Sequence, residues 1–146
     1  MGGAFVGGFY SDSKQEGLFG TDNDTNNVIE NITTDTTTTG AIIDCDGYQR
    51  ALLILGTGTV TDGDYDFQLF TGDNSAMSDE AAVSATDIND TITDYAADTD
   101  DDKDQRVELI LRERYLRIKV VSTNTSSGAY VFGVILLLKP KHGSKT

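Results

Sequence analysis

Among its 146 residues the chain has one cysteine, one proline, one histidine and no tryptophan. Each scarcity excludes something. A lone Cys45 cannot close an intrachain disulfide, so no oxidising compartment is implied. It lies in "AIIDCDG", where the carboxylates of Asp44 and Asp46 raise rather than lower a thiol pKa. A small, half-buried residue is expected there, not a reactive thiolate. His142 stands in the C-terminal tail, far in sequence from the one cysteine, which leaves no ligand set for a transition metal. The same scarcity removes the base of a His-dependent triad. No catalytic, metal or cofactor-binding residue is expected, and the protein reads as a non-enzyme.

Basic residues are few as well. Lys and Arg total 11 against 24 Asp and Glu, a formal charge of −13. Phosphate backbones and anionic membranes repel such a surface, so neither direct nucleic-acid binding nor membrane binding is expected. Long apolar runs are missing. The longest, "AYVFGVILLL", is ten residues, strand length rather than the ~20 of a membrane span. "MGGAFVGGFY" has neither the basic start nor the continuous apolar stretch of a signal peptide. No phosphate-cradling glycine loop is present, since "GTGTVTDG" leads into a turn rather than a helix.

What is abundant is threonine, aspartate and glycine, a composition of strands and turns. "YDFQLF" places Tyr65, Phe67 and Leu69 on one face and Asp66 and Gln68 on the other. Val107 and Leu109 alternate with Glu108. Leu116, Ile118 and Val120 alternate with Arg117 and Lys119. The "TTTT" run suits an exposed strand face, and Asp62-Gly63 is a hairpin signal. "MSDEAAVSA" fits either a short helix capped by Ser78 or loop and strand. "ALLIL" and "AYVFGVILLL" are apolar on both faces, which demands extra cover from an arm or a partner subunit. The expected fold is all-β, an antiparallel β-sandwich or jelly roll of about seven to eight strands.

Three segments follow: an extended N-terminal arm over 1–27, a sandwich domain over 28–140 and a tail over 141–146. The arm interleaves glycine with Phe5, Val6, Phe9, Tyr10, Leu18 and Phe19. It either folds back along its own domain or lies on another subunit; these apolar residues are the interface candidates. Arg112, Arg114 and Arg117 join them, being concentrated in one short span of an acidic chain, although cross-strand pairing with carboxylates is the favoured reading of them.

The run "DTDDDKD", residues 98–104, invites a calcium reading. Asp98, Asp100 and Asp102 fill the first three ligand positions of an EF-hand loop. Lys103 stands where the sharp turn needs glycine, and Leu109 where the loop needs its closing acid. A solvated loop, held extended by mutual repulsion, is the expectation.

Five elements then follow in order: "GAIIDCDGYQRALLILGTG", "YDFQLFTGDNSAMSDEAAVSA", the acidic loop, "RERYLRIKVV" and "VILLLKPKH". In this order the chain resembles small β-rich virion structural proteins of tailed bacteriophages, of the capsid decoration or cement kind. The resemblance implies a jelly-roll-like sandwich on the outer surface of the virion capsid, reached from the host cytoplasm. Its partners would be the major capsid protein and further copies of itself, as dimer or trimer. Its task would be to stabilise contacts between capsomers. Two alternatives stand beside it: a carbohydrate- or receptor-binding module using Tyr65, Tyr95 and the loops at 71–79 and 94–104, and a tail-completion component.

Overall fold

The computed structural model describes residues 10–20, 27–89, 91–96 and 100–140, with the backbone alone for 10–12 and 140. Its strands are β1 (Tyr10–Gly17), β2 (Ile29–Ile32), β3 (Thr36–Thr39), β4 (Ile43–Asp44), β5 (Arg50–Val60), β6 (Asp64–Gly72), β7 (Ala81–Ala82), β8 (Tyr95–Ala96), β9 (Asp104–Ile110), β10 (Tyr115–Thr123) and β11 (Ala129–Pro140). One 3-10 turn spans Ala85–Asp87, where Ser84 accepts a hydrogen bond from the Thr86 N–H. The chain is an all-β sandwich of two antiparallel sheets, with eleven strands among the described residues rather than seven or eight. The surplus comes from pieces of two to four residues, too short to show a period.

The first sheet runs β1–β11–β5–β9, with β2 continuing along the same edge of β11 that β1 occupies. The second runs β3–β10–β6–β7, with β4 beside β3 on β10 and β8 beside β7 on β6. Alternation fixes which side chains meet. Leu53, Leu55, Ile135 and Leu137 from the first sheet face Tyr65, Phe67, Leu116, Ile118 and Val120 from the second. Phe67 meets Tyr95 edge-on, ring centres 5.6 Å apart, the arrangement that aromatic quadrupoles favour.

Among the six strands of seven residues or more, none pairs with the one next to it in sequence. Asp62-Gly63 therefore does not make the expected hairpin. It turns the chain from β5 in one sheet to β6 in the other, with Gly63 at φ +98°. "RER" at 112–114 likewise carries β9 across to β10. Such local signals specify a reversal but not which sheet receives the next strand. The stretch from Met77 to Ser84 is turn, short strand and irregular chain rather than a helix capped by Ser78, and Ala85 opens the 3-10 turn.

The described part of the N-terminal arm folds back along its own domain. Residues Tyr10 to Gly17 pair with Pro140 to Val134 of β11. Leu18 and Phe19 then enter the core, above Gly133. A Cβ at position 133 would lie 2.9 Å from Leu18 Cδ1 and 3.3 Å from Phe19 Cε2. Glycine there is what lets the arm close onto β11.

Candidate interaction surface

The two outer faces of the sandwich differ. On the second sheet, Asp66, Gln68 and Phe70 of β6 lie beside Arg117 and Lys119 of β10. These polar groups satisfy one another. Glu80 accepts from Arg117 Nε at 2.8 Å and from Lys119 Nζ at 2.5 Å. Those two cations hold its carboxyl below the usual range, Arg117 contributing most. Lys119 also stands 4.6 Å from the centre of the Phe70 ring, and Gln68 donates to Asp66 at 2.6 Å. This face is polar and internally paired.

The first sheet presents the opposite. Tyr130, Phe132, Val134 and Leu136 of β11 alternate with core residues and point outward, beside Leu52 and Ile54 of β5. The register puts Leu52 opposite Leu136 and Ile54 opposite Val134. The Phe132 ring lies over Gly56, where a Cβ would come within 2.6 Å of it. Ile29 of β2, paired with Phe132, is 61% exposed and Tyr130 is 53% exposed. The ionisable side chains that β5, β9 and β11 bring to this face are Arg50, Arg106, Asp104 and Glu108. Their formal charges cancel. A shallow depression of about 120 Å³ between Arg50, Leu52, Glu108 and Leu138 marks one end of it. The sequence signal for this surface was present, as strands apolar on both faces, but it named no residues as exposed.

The expected interface residues distribute differently. Phe5, Val6 and Phe9 lie outside the described residues, and Tyr10 is described only as backbone at the start of β1. Leu18 and Phe19 are fully buried in the protein's own core, so this fold does not present them to a partner. Arg112 pairs with Asp87 at 3.0 Å, Arg114 with Asp44 through two hydrogen bonds of 3.0 Å, and Arg117 with Glu80. Arg114 also stacks 5.1 Å from the Tyr115 ring centre. The arginines thus make cross-strand and loop pairs within the chain, the weaker of the two readings in functional content. Tyr65 is 0% and Tyr95 4% exposed, and each donates its hydroxyl inward, to Asp62 O and Leu55 O. Neither can serve as a platform for a sugar.

The acidic run is not held off its neighbours by repulsion. Asp98 and Thr99 lie outside the described residues, but Asp100 to Asp102 are tied to β5 and β8. Asp101 accepts the Val60 N–H at 2.7 Å and Asp100 the Ala96 N–H at 2.8 Å. Thr57 Oγ1 donates to the Asp100 carbonyl, and the Asp102 N–H to the Gly58 carbonyl at 2.9 Å. Asp102 takes the left-handed backbone, φ 52°. The carboxylates of Asp100 and Asp101 each have a neutral backbone donor at hand, which outweighs the repulsion between them. Among the described residues, no group of three or more His, Cys, Asp or Glu could hold a metal ion. Cys45 is buried, and burial, aided by Asp44 and Glu16, pushes its thiol up to about 12.

Among the described residues, no helix is long and apolar enough to cross a membrane. No family model matches the chain, and no curated protein or solved structure proved significantly similar to it.

Proposed function

We propose that this protein is a non-enzymatic virion component, a decoration protein that binds the outer surface of a tailed-phage head and reinforces contacts of the major capsid protein. The observation that supports this reading is the order of the five sequence elements on the fold. They fall on β4 and β5, on β6 and β7, on the loop before β9, on β10 and on β11. These strands include both sheet centres, so the resemblance concerns the frame of the protein rather than a decorative loop. A decoration protein needs a stable frame and a repeated contact; many copies on one shell multiply weak contacts by avidity. On this reading the capsid contact falls to Phe5, Val6, Phe9 and Tyr10, which precede or begin β1 in sequence.

The test is localisation and copy number. Antibody labelling of intact particles, with quantitative mass spectrometry of purified virions, should find hundreds of copies spread over the head. A handful of copies at the tail, or none in the particle, overturns the reading. Removing residues 2–9 should lower head occupancy. Residues 10–20 must stay, because they form an edge strand and part of the core.

A further inference from the structure

We infer that the outer face of the first sheet is a self-association surface on which two copies of this chain stack sheet to sheet. Three observations carry this, and none depends on the capsid reading.

The first is contrast within one molecule. The outer face of the second sheet is finished with its own ion pairs and a cation over Phe70. The corresponding face of the first sheet is apolar from Tyr130 to Leu136 and across to Leu52 and Ile54. A large contiguous apolar patch on a soluble chain marks a contact.

The second is charge. The whole chain carries −13, so most approaches of one copy to another are repulsive. On this face Arg50 and Arg106 balance Asp104 and Glu108. It is a neutral patch on an acidic protein, which suits a second acidic copy better than a basic partner.

The third is register. One row across the sheet holds Glu108, Leu52 and Leu136; the next holds Arg106, Ile54 and Val134. A two-fold axis lying in the interface between these rows, across the strands, exchanges them. It sets each leucine row against the second copy's Ile54 and Val134, and each Glu108 against the second copy's Arg106. This is the self-complementarity an isologous contact requires. Four strands about 4.8 Å apart, over nine residues at about 3.3 Å each, give roughly 500 Å² of flat area per copy. The total of about 1,000 Å² reaches the lower bound for a specific interface.

The experiment is sedimentation equilibrium of the full chain from about 1 to 100 μM in 150 mM salt, the range in which interfaces near the lower size bound associate. The expected species is twice the 15.7 kDa chain mass. Val134→Lys and Ile54→Lys should each give monomer with an unchanged circular dichroism spectrum. Thr37→Lys, on the second sheet, should leave the dimer intact. Because a core-adjacent lysine could disturb folding, Arg106→Glu and Glu108→Arg give a second readout at exposed positions. Each alone should raise the dissociation constant about tenfold, and the two together in one chain should restore it, as expected for opposed charges across an interface. A monomer at 100 μM overturns the inference. So does a dimer indifferent to Val134→Lys and Ile54→Lys, or to the charge exchange. A wild-type monomer that dimerises only after removal of residues 2–9 also overturns it, by giving the face to the chain's own N-terminus.

Discussion

Phe19→Ala tests whether the arm belongs to the core or to a partner. Phe19 is 0% exposed, beside Leu18 and over Gly133. Its N–H and carbonyl are both paired with Asn27, at 2.8 and 2.7 Å, so the backbone there is fixed and cannot collapse freely into a gap. A buried phenyl side chain removes on the order of 150 Å² from water. At about 25 cal/mol per Å² that area is worth close to 4 kcal/mol. Large-to-small replacements of phenylalanine in rigid cores cost about 3–5 kcal/mol, and incomplete collapse places this site in that range. For a chain of this size the loss corresponds to roughly 8–15 °C in Tm. The assay is urea and thermal unfolding of the isolated protein, with Thr37→Ala, at an exposed position on the second sheet, as the control. The control should change stability by less than about 0.5 kcal/mol. If Phe19→Ala also stays within about 1 kcal/mol of wild type, the side chain is not core, and the folding back of the arm is refuted.

Other expectations rest on single sites. Gly128→Ala should destabilise by at least about 2 kcal/mol, since φ there is +95° and a Cβ would lie 2.0 Å from the Ile32 carbonyl oxygen; a neutral result in urea melts would remove the close approach of β2. Cys45 should resist a thiol reagent at pH 8 and react promptly once unfolded, because burial both hides the sulfur and raises its pKa to about 12; fast labelling of the native protein would contradict that placement. Asp62 is held well below the usual carboxylate range, first by the Ser126 hydroxyl, then by the Gly128 and Ser127 N–H groups. A lowered folded pKa gives a contribution that is complete above the unfolded value near 3.9 and lost as pH falls toward the folded value. The urea midpoint of wild type should therefore drop between about pH 5 and pH 2 more steeply than that of Asp62→Asn; parallel curves would show that this carboxylate does not hold the loop.

Much of the frame was legible in alternation. Tyr65, Phe67 and Leu69, and likewise Leu116, Ile118 and Val120, occupy the core as their period of two predicts. What was not legible is the pairing. β5 lies between β9 and β11, and β6 between β10 and the short strands, so each central strand finds its long partners 40 or more residues away. Turn residues carry no information about that choice. The arm was not legible as a strand for another reason. β1 reads "YSDSKQEG", with no apolar period; at this sheet edge Lys14 and Gln15 turn to solvent. Its membership in the sheet is carried by backbone hydrogen bonds to β11 and by two residues, Leu18 and Phe19, that anchor its end. A charge run misleads in the same way: Asp100 and Asp101 look like part of a solvated block until the backbone donors that meet them are known.

Those donors explain the acidity better than solubility alone does. With one proline and no disulfide, the chain has few covalent means of stiffening loops. Aspartate takes that place. Asp62 gathers the N–H groups of Ser126, Ser127 and Gly128. Asp35 accepts from Thr125, Asp101 from Val60 and Asp100 from Ala96. At the other end of the sandwich, Asp73 accepts from the Arg114 N–H, and Asp79 from those of Asp73 and Asn74. Each is a charge-assisted bond to a backbone donor that a turn would otherwise leave to water. The loops that pass the chain between sheets are thus fixed by carboxylates at both ends, and the strands can be joined in a non-sequential order without long rigid connectors. Asp62 at one end and Asp79 at the other are held below the usual carboxylate range by these donors, so acid weakens both ends together. Asp94 runs the other way: burial, with Asp66 alongside, raises its pKa, so its proton stabilises the pair as pH falls. One such pair does not offset Asp44, Asp62, Asp79 and Glu80, whose pKa values are all lowered, and the sandwich should open from its loops before its core strands separate.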